Sequence, residues 1–407
     1  MRFSTRVTAF IAAAAPFFAN AAPFGAEQKA NEIIPGKYIV QLKAEANVAE
    51  VAAHHDRVRI IYARNLARRG EGGASGAPVE REYGFGEFKA YAATFDDATA
   101  EELKGLAEVL SVEPDFIMRT TAFVTQASPP WGLASISSRT VGATSYVYDD
   151  CAGKGTFSYV IDTGIRITHN EFEGRAIWGF NAVSGSPNTD NQGHGTHVAG
   201  TIGGKTYGVA KKTTIIAVKA LTGDTGSASD VFAAFDWTVN DVVSKGRTNT
   251  GVINMSLGAS ASAIWDAAIA AAWKKGVLVV AAAGNDDSLA SEMSPGRAPE
   301  VICVGNIRIN NQRLSGPGGS NYGAAVDIFA AGTNILSADS ASDSATKMLN
   351  GSSMASPHVA GLVSYLRGLE GPMSAAAVKA RVYALGTPNV VTDAKGSVNL
   401  LAYNGNK

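Results

Sequence analysis

The feature that most limits what this chain can fold into is a change of pattern at Trp131. Beyond it, short apolar runs rich in β-branched residues alternate with amphipathic stretches. The runs fall at residues 157–161, 214–220, 251–255, 276–283 and 301–305. They are apolar at nearly every position rather than every second one, which suits strands buried on both faces of a parallel sheet. Residues 229–243 and 262–275 have helical spacing, and a last pair of helices is expected at 353–369 and 374–385. This alternation predicts an α/β domain with a doubly wound parallel sheet and helices on both faces. Ligands in such domains bind beyond the carboxyl ends of the strands, so the residues just after strands and just before helices are where chemistry belongs.

Three segments occupy such places. Tyr159-Val-Ile-Asp-Thr-Gly164 is an apolar run ending in a carboxylate. Asn191-Gln-Gly-His-Gly-Thr-His-Val-Ala-Gly200 is a turn leading into a Gly/Ala-rich helix, and Asn350-Gly-Ser-Ser-Met-Ala-Ser-Pro-His358 leads into a long one. Amide hydrolysis by a serine needs a hydroxyl nucleophile, an imidazole to take and return its proton, and a carboxylate to orient the imidazole and stabilise its cation. The order Asp, His, Ser on a parallel α/β core is one of three known, unrelated orders of that triad. Taken singly, Asp162 could cap a turn and Ser353 could be an ordinary N-cap. His194 and His197 could ligate a metal, but the H-E-x-x-H pattern and a third ligand are missing. An esterase nucleophile turn, Gly-x-Ser-x-Gly, is also missing.

On these motifs the chain resembles the fungal subtilisin-like proteases of the proteinase K subfamily, from Trp131-Gly-Leu133 to Val398-Asn-Leu-Leu-Ala-Tyr403. The resemblance implies a subtilisin-like fold, with Asp162 as acid, His194 as base and Ser353 as nucleophile. Ala281-Ala-Ala-Gly-Asn285 follows an apolar run, and the family's side-chain oxyanion donor falls on Asn285. Gly226 and Ser227 resemble one rim of the substrate cleft. Ser256, Leu257 and Gly258, with Ala282, Ala283 and Gly284, resemble the walls of the pocket for the residue on the acyl side of the cut. These residues are small and neutral, so hydrophobic or aromatic side chains are expected there, with Asp224 near the rim. Pro299, Val301 and Asp327 fall on the family's stronger calcium site, implying a structural Ca2+ and no catalytic cofactor.

The sequence departs from the family in places. Ser352 stands where Thr is usual and keeps the hydroxyl. Val198 stands where proteinase K has a cysteine beside the catalytic histidine, and Ala331 where Pro is usual. Phe157 and Ile302 occupy the proteinase K disulfide positions, so that framework does not carry over. Cys151 and Cys303 are compatible with one disulfide or with two thiols. The sequons at Asn254 and Asn350 are expected to be unused, because a glycan at either would obstruct the cleft.

The N-terminal region reads as two pieces. Arg2 and Arg6 precede an apolar run over 7–18 and Ala19-Asn20-Ala21, the form of a signal peptide over 1–21. Residues 37–120 look like a small α+β unit: strands at 37–42 and 88–95, a helix at 98–109, a last strand starting at 112, and a Gly-rich loop at 69–79. The Lys and Arg residues of 57–69 read as a solvated helix face. By the resemblance, 22–121 is a ferredoxin-like, inhibitor-like propeptide and 122–407 the peptidase, with self-cleavage near 121–124. The formal net charge of −1 gives no sign of a nucleic-acid partner. No later stretch has the uninterrupted apolar length of a membrane span. The expectation is a secreted, extracellular, monomeric serine endopeptidase made as a self-processed zymogen. It would act on proteins and peptides through an acyl-enzyme, with its propeptide as inhibitor and folding aid. A specific processing protease and an inactive subtilase-fold binding protein are the rivals.

Overall fold

The computed structural model describes residues 33–69, 78–116 and 123–406. The expected signal peptide lies outside the described residues, as do residues 121 and 122 of the expected cleavage region and residues 70–77 of the expected Gly-rich segment.

Residues 33–116 contain β1 (Ile33–Leu42), α1 (Val48–Arg68), β2 (Val79–Phe85), β3 (Phe88–Thr94), α2 (Asp97–Lys104) and β4 (Val109–Phe116). The strands pair antiparallel in the order β2-β3-β1-β4. That is the ferredoxin-like β-α-β-β-α-β arrangement. Asn47 starts α1 with a capping box: its Oδ1 accepts the Glu50 N–H at 3.0 Å, and the Glu50 carboxylate accepts the Asn47 N–H at 2.7 Å. Val40, Val58, Tyr91 and Leu103 fill the core between sheet and helices. Arg57, Arg59 and Arg64 lie on the solvated side of α1 and pair with Glu108, Asp56 and Glu102. The helix expected over 98–109 is shorter. It stops at Lys104, capped by Gly105, and Val109 pairs with Leu42 as the first residue of β4. Leu106 and Val109 suit a helix face by spacing, but the long-range ladder claims Val109.

In the larger lobe, β5 (Phe123–Ala127) pairs with β6 (Ser145–Asp149), and α3 (Trp131–Ile136) lies between them in sequence. The main sheet is built from β7 (Phe157–Asp162), β8 (Ala176–Asn181), β9 (Thr214–Lys219), β10 (Gly251–Met255), β12 (Val279–Ala282), β14 (Ile302–Ile307) and β15 (Ile328–Ala331). Two short strands, β18 (Thr387–Pro388) and β19 (Leu400–Leu401), complete one edge. Two small antiparallel pairs stand apart: β11 (Ala259–Ser260) with β13 (Met293–Ser294), and β16 (Ile335–Ala338) with β17 (Thr346–Leu349). The main order is β18-β19-β15-β14-β12-β10-β7-β9-β8, parallel except for β18. From β7 the chain runs to β8 and β9 on one side, then returns to lay β10, β12, β14 and β15 on the other. The carboxyl end of β7 is therefore at the point where the winding reverses, the usual place for a site.

Nearly every residue of the central strands is buried, successive residues facing opposite sides of the sheet, and both sides are apolar. Val160, Ile215, Val252 and Val280 pack toward α4 (His194–Gly203), α7 (Ser352–Leu369) and α8 (Ala375–Leu385). Tyr159, Ile161, Ile216, Ile253 and Val279 pack toward α5 (Ala228–Ser244) and α6 (Ala263–Lys274). This two-sided burial is why the strands read as continuous apolar runs.

Candidate active site

The three motif residues stand at the ends of elements that meet. Asp162 is the last residue of β7, His194 the first of α4, and Ser353 the second of α7. Asp162 is fully buried, while the His194 side chain is 22% exposed to the cleft. The Asp162 Oδ1 accepts hydrogen bonds from His194 Nδ1–H and from its neighbour's N–H, at Thr163, both at 2.8 Å. The bond orients the imidazole with Nε2 toward the opening. The start of α4 presses so closely on the chain after β7 that a Cβ on Gly195 would stand 2.1 Å from the Gly164 carbonyl oxygen. Only glycine fits there.

A network not anticipated from the sequence holds this junction. Asp190, almost wholly buried, accepts through Oδ1 from the Thr163 hydroxyl and the N–H groups of Gln192 and Gly193, and through Oδ2 from the N–H and hydroxyl of Thr196. Thr163 Oγ1 in turn accepts the Gly195 N–H at 2.9 Å. The buried Lys219 ammonium donates to the Thr163 carbonyl and to Asn191 Oδ1. The signal for Asp190 was its place beside the histidine motif, but an acid in a turn is ordinarily solvated.

Ser353 and His194 line the same cleft. In this structure the Ser353 hydroxyl donates to the Ser256 carbonyl at 3.1 Å, and the Ser256 hydroxyl donates back to the Ser353 carbonyl at 2.8 Å. As the second residue of α7, Ser353 carries one of the helix's unbonded first-turn N–H groups. Asn285 is exposed beside it. Its Oδ1 accepts the Ser352 N–H at 2.7 Å and lies 2.9 Å from the Ser352 hydroxyl, so the amide N–H2 is the end of the side chain that Ser352 does not hold. Gly351 precedes this turn at φ +140°, and a Cβ there would lie 3.3 Å from both Asn285 amide atoms.

His197 and His358 are structural. His197 Nε2 donates to the carbonyls of Ile335 and Lys347, and burial lowers its pKa to about 4. His358 Nδ1 donates to the Met354 carbonyl, and burial brings it to about 4 as well. His194 moves the other way. Burial pulls its pKa down, but Asp162 outweighs that, with Asp190 and Asp224 adding, so the net shift is upward.

The cleft has a volume of about 470 Å³ and is lined by His194, Ser353, Gly226, Ser256, Leu257 and Gly258 together with Asp224. Leu221, Val231 and Trp265 make one end apolar. Ser227 instead caps α5, its hydroxyl accepting the Asp230 N–H. Ala282 and Ala283 are buried behind the cleft, and Gly284 holds the Ser352 hydroxyl between its N–H and carbonyl. Asn254 is fully buried, its amide bonded to Ser256 and Ser356, so a glycan has no room there. Cys303 is a buried thiol not joined to Cys151.

The calcium expectation does not fit. The carbonyls of Pro299 and Val301 both accept hydrogen bonds from Lys379 Nζ, at 2.7 Å each. Asp327 Oδ2 accepts the Cys303 N–H at 2.9 Å. Both carbonyl oxygens expected to bind a divalent ion already face an ammonium. Burial draws the Lys379 pKa below its ordinary value, with Asp327 and Glu300 opposing.

A carboxylate-held imidazole facing a cleft that contains a serine at a helix start, with a side-chain amide beside it, is the equipment of a serine peptidase. The chain belongs to the subtilase family, whose model matches residues 153–385, and the Peptidase inhibitor I9 family matches residues 37–121. It is 48% identical over 388 residues to Alkaline protease 1 of Aspergillus clavatus, covering 95% of each chain. It is also 48% identical over 387 residues to the alkaline proteinase of Hapsidospora chrysogena, covering 92% of this chain and 93% of that one. A solved cold-adapted subtilisin-like serine proteinase is 35% identical, with a TM-score of 0.63, covering 68% of this chain and 99% of its own. The protein is thus a subtilisin-like serine endopeptidase made as a zymogen with an inhibitor-type propeptide, and its catalytic mechanism is cofactor-independent. Among the described residues no helix is long and apolar enough to cross a membrane.

Proposed function

We propose that Asp162, His194 and Ser353 form the catalytic triad and Asn285 the side-chain part of the oxyanion hole. The observation that carries this is the 2.8 Å bond from His194 to the buried Asp162, in a cleft shared with Ser353. Rotation of the Ser353 hydroxyl from the Ser256 carbonyl to His194 Nε2 starts the reaction. Oγ attacks the scissile carbonyl carbon as its proton passes to Nε2, and Asp162 stabilises the imidazolium. The carbonyl oxygen, now negative, accepts from Asn285 Nδ2–H and the Ser353 N–H. The C–N bond breaks as His194 returns the proton to the leaving amine, leaving an ester on Ser353. Water then repeats the sequence to release the acid.

The substrate lies extended between Gly226–Ser227 and Ser256–Gly258, as an added strand. Small neutral walls, with Ala282 to Gly284 behind them, favour hydrophobic or aromatic side chains on the acyl side of the cut. No carboxylate among the cleft residues lies deep enough to select Lys or Arg, since Asp224 is exposed at the rim. Residues 1–21 direct secretion, 22–121 form the propeptide and 122–407 the extracellular, monomeric peptidase. Self-cleavage falls near 121–124, and neither nucleic acid nor membrane is a partner.

Expression of the full chain beside Ser353→Ala tests the reading. The native chain releases its propeptide and hydrolyses casein. The variant stays uncleaved and loses on the order of 10⁶ in turnover, the loss measured in subtilisin, a member of this family. Intact self-processing by Ser353→Ala would sink the assignment. Cleavage of a Lys-containing peptide in preference to its Phe counterpart would sink the specificity.

A further inference from the structure

Lys379 ties three segments together. From α8 its ammonium donates to the carbonyls of Pro299 and Val301, just before β14. The Asp327 carboxylate, just before β15, attracts it from beyond ion-pair distance. The rings of Trp273 and Tyr383 stand 5.7 and 5.9 Å from Nζ, within reach of a cation–π attraction. Two carbonyls and two aromatic faces thus surround one positive charge, with a carboxylate acting at longer range. Calcium needs about six to eight oxygens at about 2.3–2.6 Å. Here two of those oxygens are taken by N–H donors, and a second cation would meet the ammonium's repulsion.

We propose that the Lys379 ammonium is a built-in replacement for a structural divalent cation, pinning α8 to the sheet so that folding does not draw on calcium at this position. The charge is covalently delivered, so chelators cannot remove it. Lysine pays for this by burying a long stem, which Trp273 and Tyr383 cover.

The test uses the mature enzyme, blocked with a serine-directed sulfonyl fluoride to prevent autolysis. Thermal melting is followed in calcium chloride and in EDTA, and terbium binding by emission under indole excitation, with Trp273 as the antenna. Asp327→Asn separates this position from any other calcium site. In the native protein, terbium emission and the calcium shift of Tm are the same with and without Asp327→Asn. Lys379→Met, which keeps the stem, melts on the order of 5 °C lower in EDTA, as expected for two lost charge-assisted bonds. Lys379→Ala gains terbium emission and a calcium-dependent rise in Tm, both abolished by Asp327→Asn. Terbium emission from the native protein that Asp327→Asn removes overturns the proposal, and that arm requires no Lys379 variant to fold. An unchanged Tm in Lys379→Met overturns it equally.

Discussion

Ser352→Ala isolates how Asn285, the proposed oxyanion donor, is aimed. The Ser352 hydroxyl lies 2.9 Å from Asn285 Oδ1 and 3.1 Å from the Gly284 carbonyl, and accepts the Gly284 N–H at 3.1 Å. Removing it leaves Asn285 Oδ1 with the Ser352 N–H alone. A neutral hydrogen bond contributes about 0.5–1.5 kcal/mol net. At about 1.4 kcal/mol per decade, turnover falls roughly 2- to 12-fold if the amide's aim is what the hydroxyl supplies. KM stays constant, because the oxyanion exists only beyond the ground state. The loss stays well short of the roughly 10²–10³ that removing the donor itself costs in subtilisin. Folding loses about 1 kcal/mol, since the Gly284 N–H gives up its partner. Steady-state kinetics on a chromogenic peptide, with Asn285→Ala and the double variant, provide the check. In the Asn285→Ala background, Ser352→Ala costs no further turnover, whereas Ser352→Thr alone retains activity. An equal loss in both backgrounds, or a rise in KM at constant kcat, would refute the reasoning.

With His194 as the proposed base, catalysis needs it neutral, so kcat/KM is lost as pH falls through its raised pKa, with the acid limb above the ordinary 6.5. Asp224 is one of the charges raising it, so Asp224→Asn moves that limb to lower pH, and an unmoved limb removes Asp224 from the account. Stability has the opposite sign. The charged His194–Asp162 pair stabilises the fold fully below the unfolded histidine's pKa, and this is lost as pH rises through the folded value. Asp190→Asn puts an N–H2 group among donors, so a loss of about 10-fold or more in kcat and of about 2–3 kcal/mol in urea unfolding is expected. Native-like values for both would dismiss Asp190 as the junction's anchor. Buried Arg313 pairs with Asp287 at 2.6 Å and Asp393 at 2.8 Å. Arg313→Met costs about 3–5 kcal/mol in denaturant unfolding while turnover per folded molecule holds; a cost under about 1 kcal/mol contradicts the pairing's weight.

Much of the fold was legible because its signals are local. Apolar runs marked β7, β9, β10, β12 and β14, and helical spacing marked α5, α6 and α8. β8 (Ala176–Asn181) was missed because it is an edge strand with only its first residue buried. β15 (Ile328–Ala331) was missed because its four residues include one β-branched side chain and stand between Asp327 and Gly332, whereas β12 sits within the longer apolar run of 276–283. The end of α2 was misjudged because Val109 suits either element until Leu42 pairs with it.

The sequence alone was enough to propose the site's chemistry, because Asp162, His194, Ser353 and Asn285 each lie in a motif whose residue types and local turn belong together. Only the tertiary structure decided which side chains fill the spaces between motifs. It made Asp190 a five-donor hub, buried His197 as a structural donor, and buried Ala283 fully. It also brought Lys379 to the carbonyls of Pro299 and Val301, about 80 residues away along the chain. Periodicity and motif spacing report how a segment meets water and its own neighbours. The charge that fills a gap between three distant segments depends on where folding brings them together.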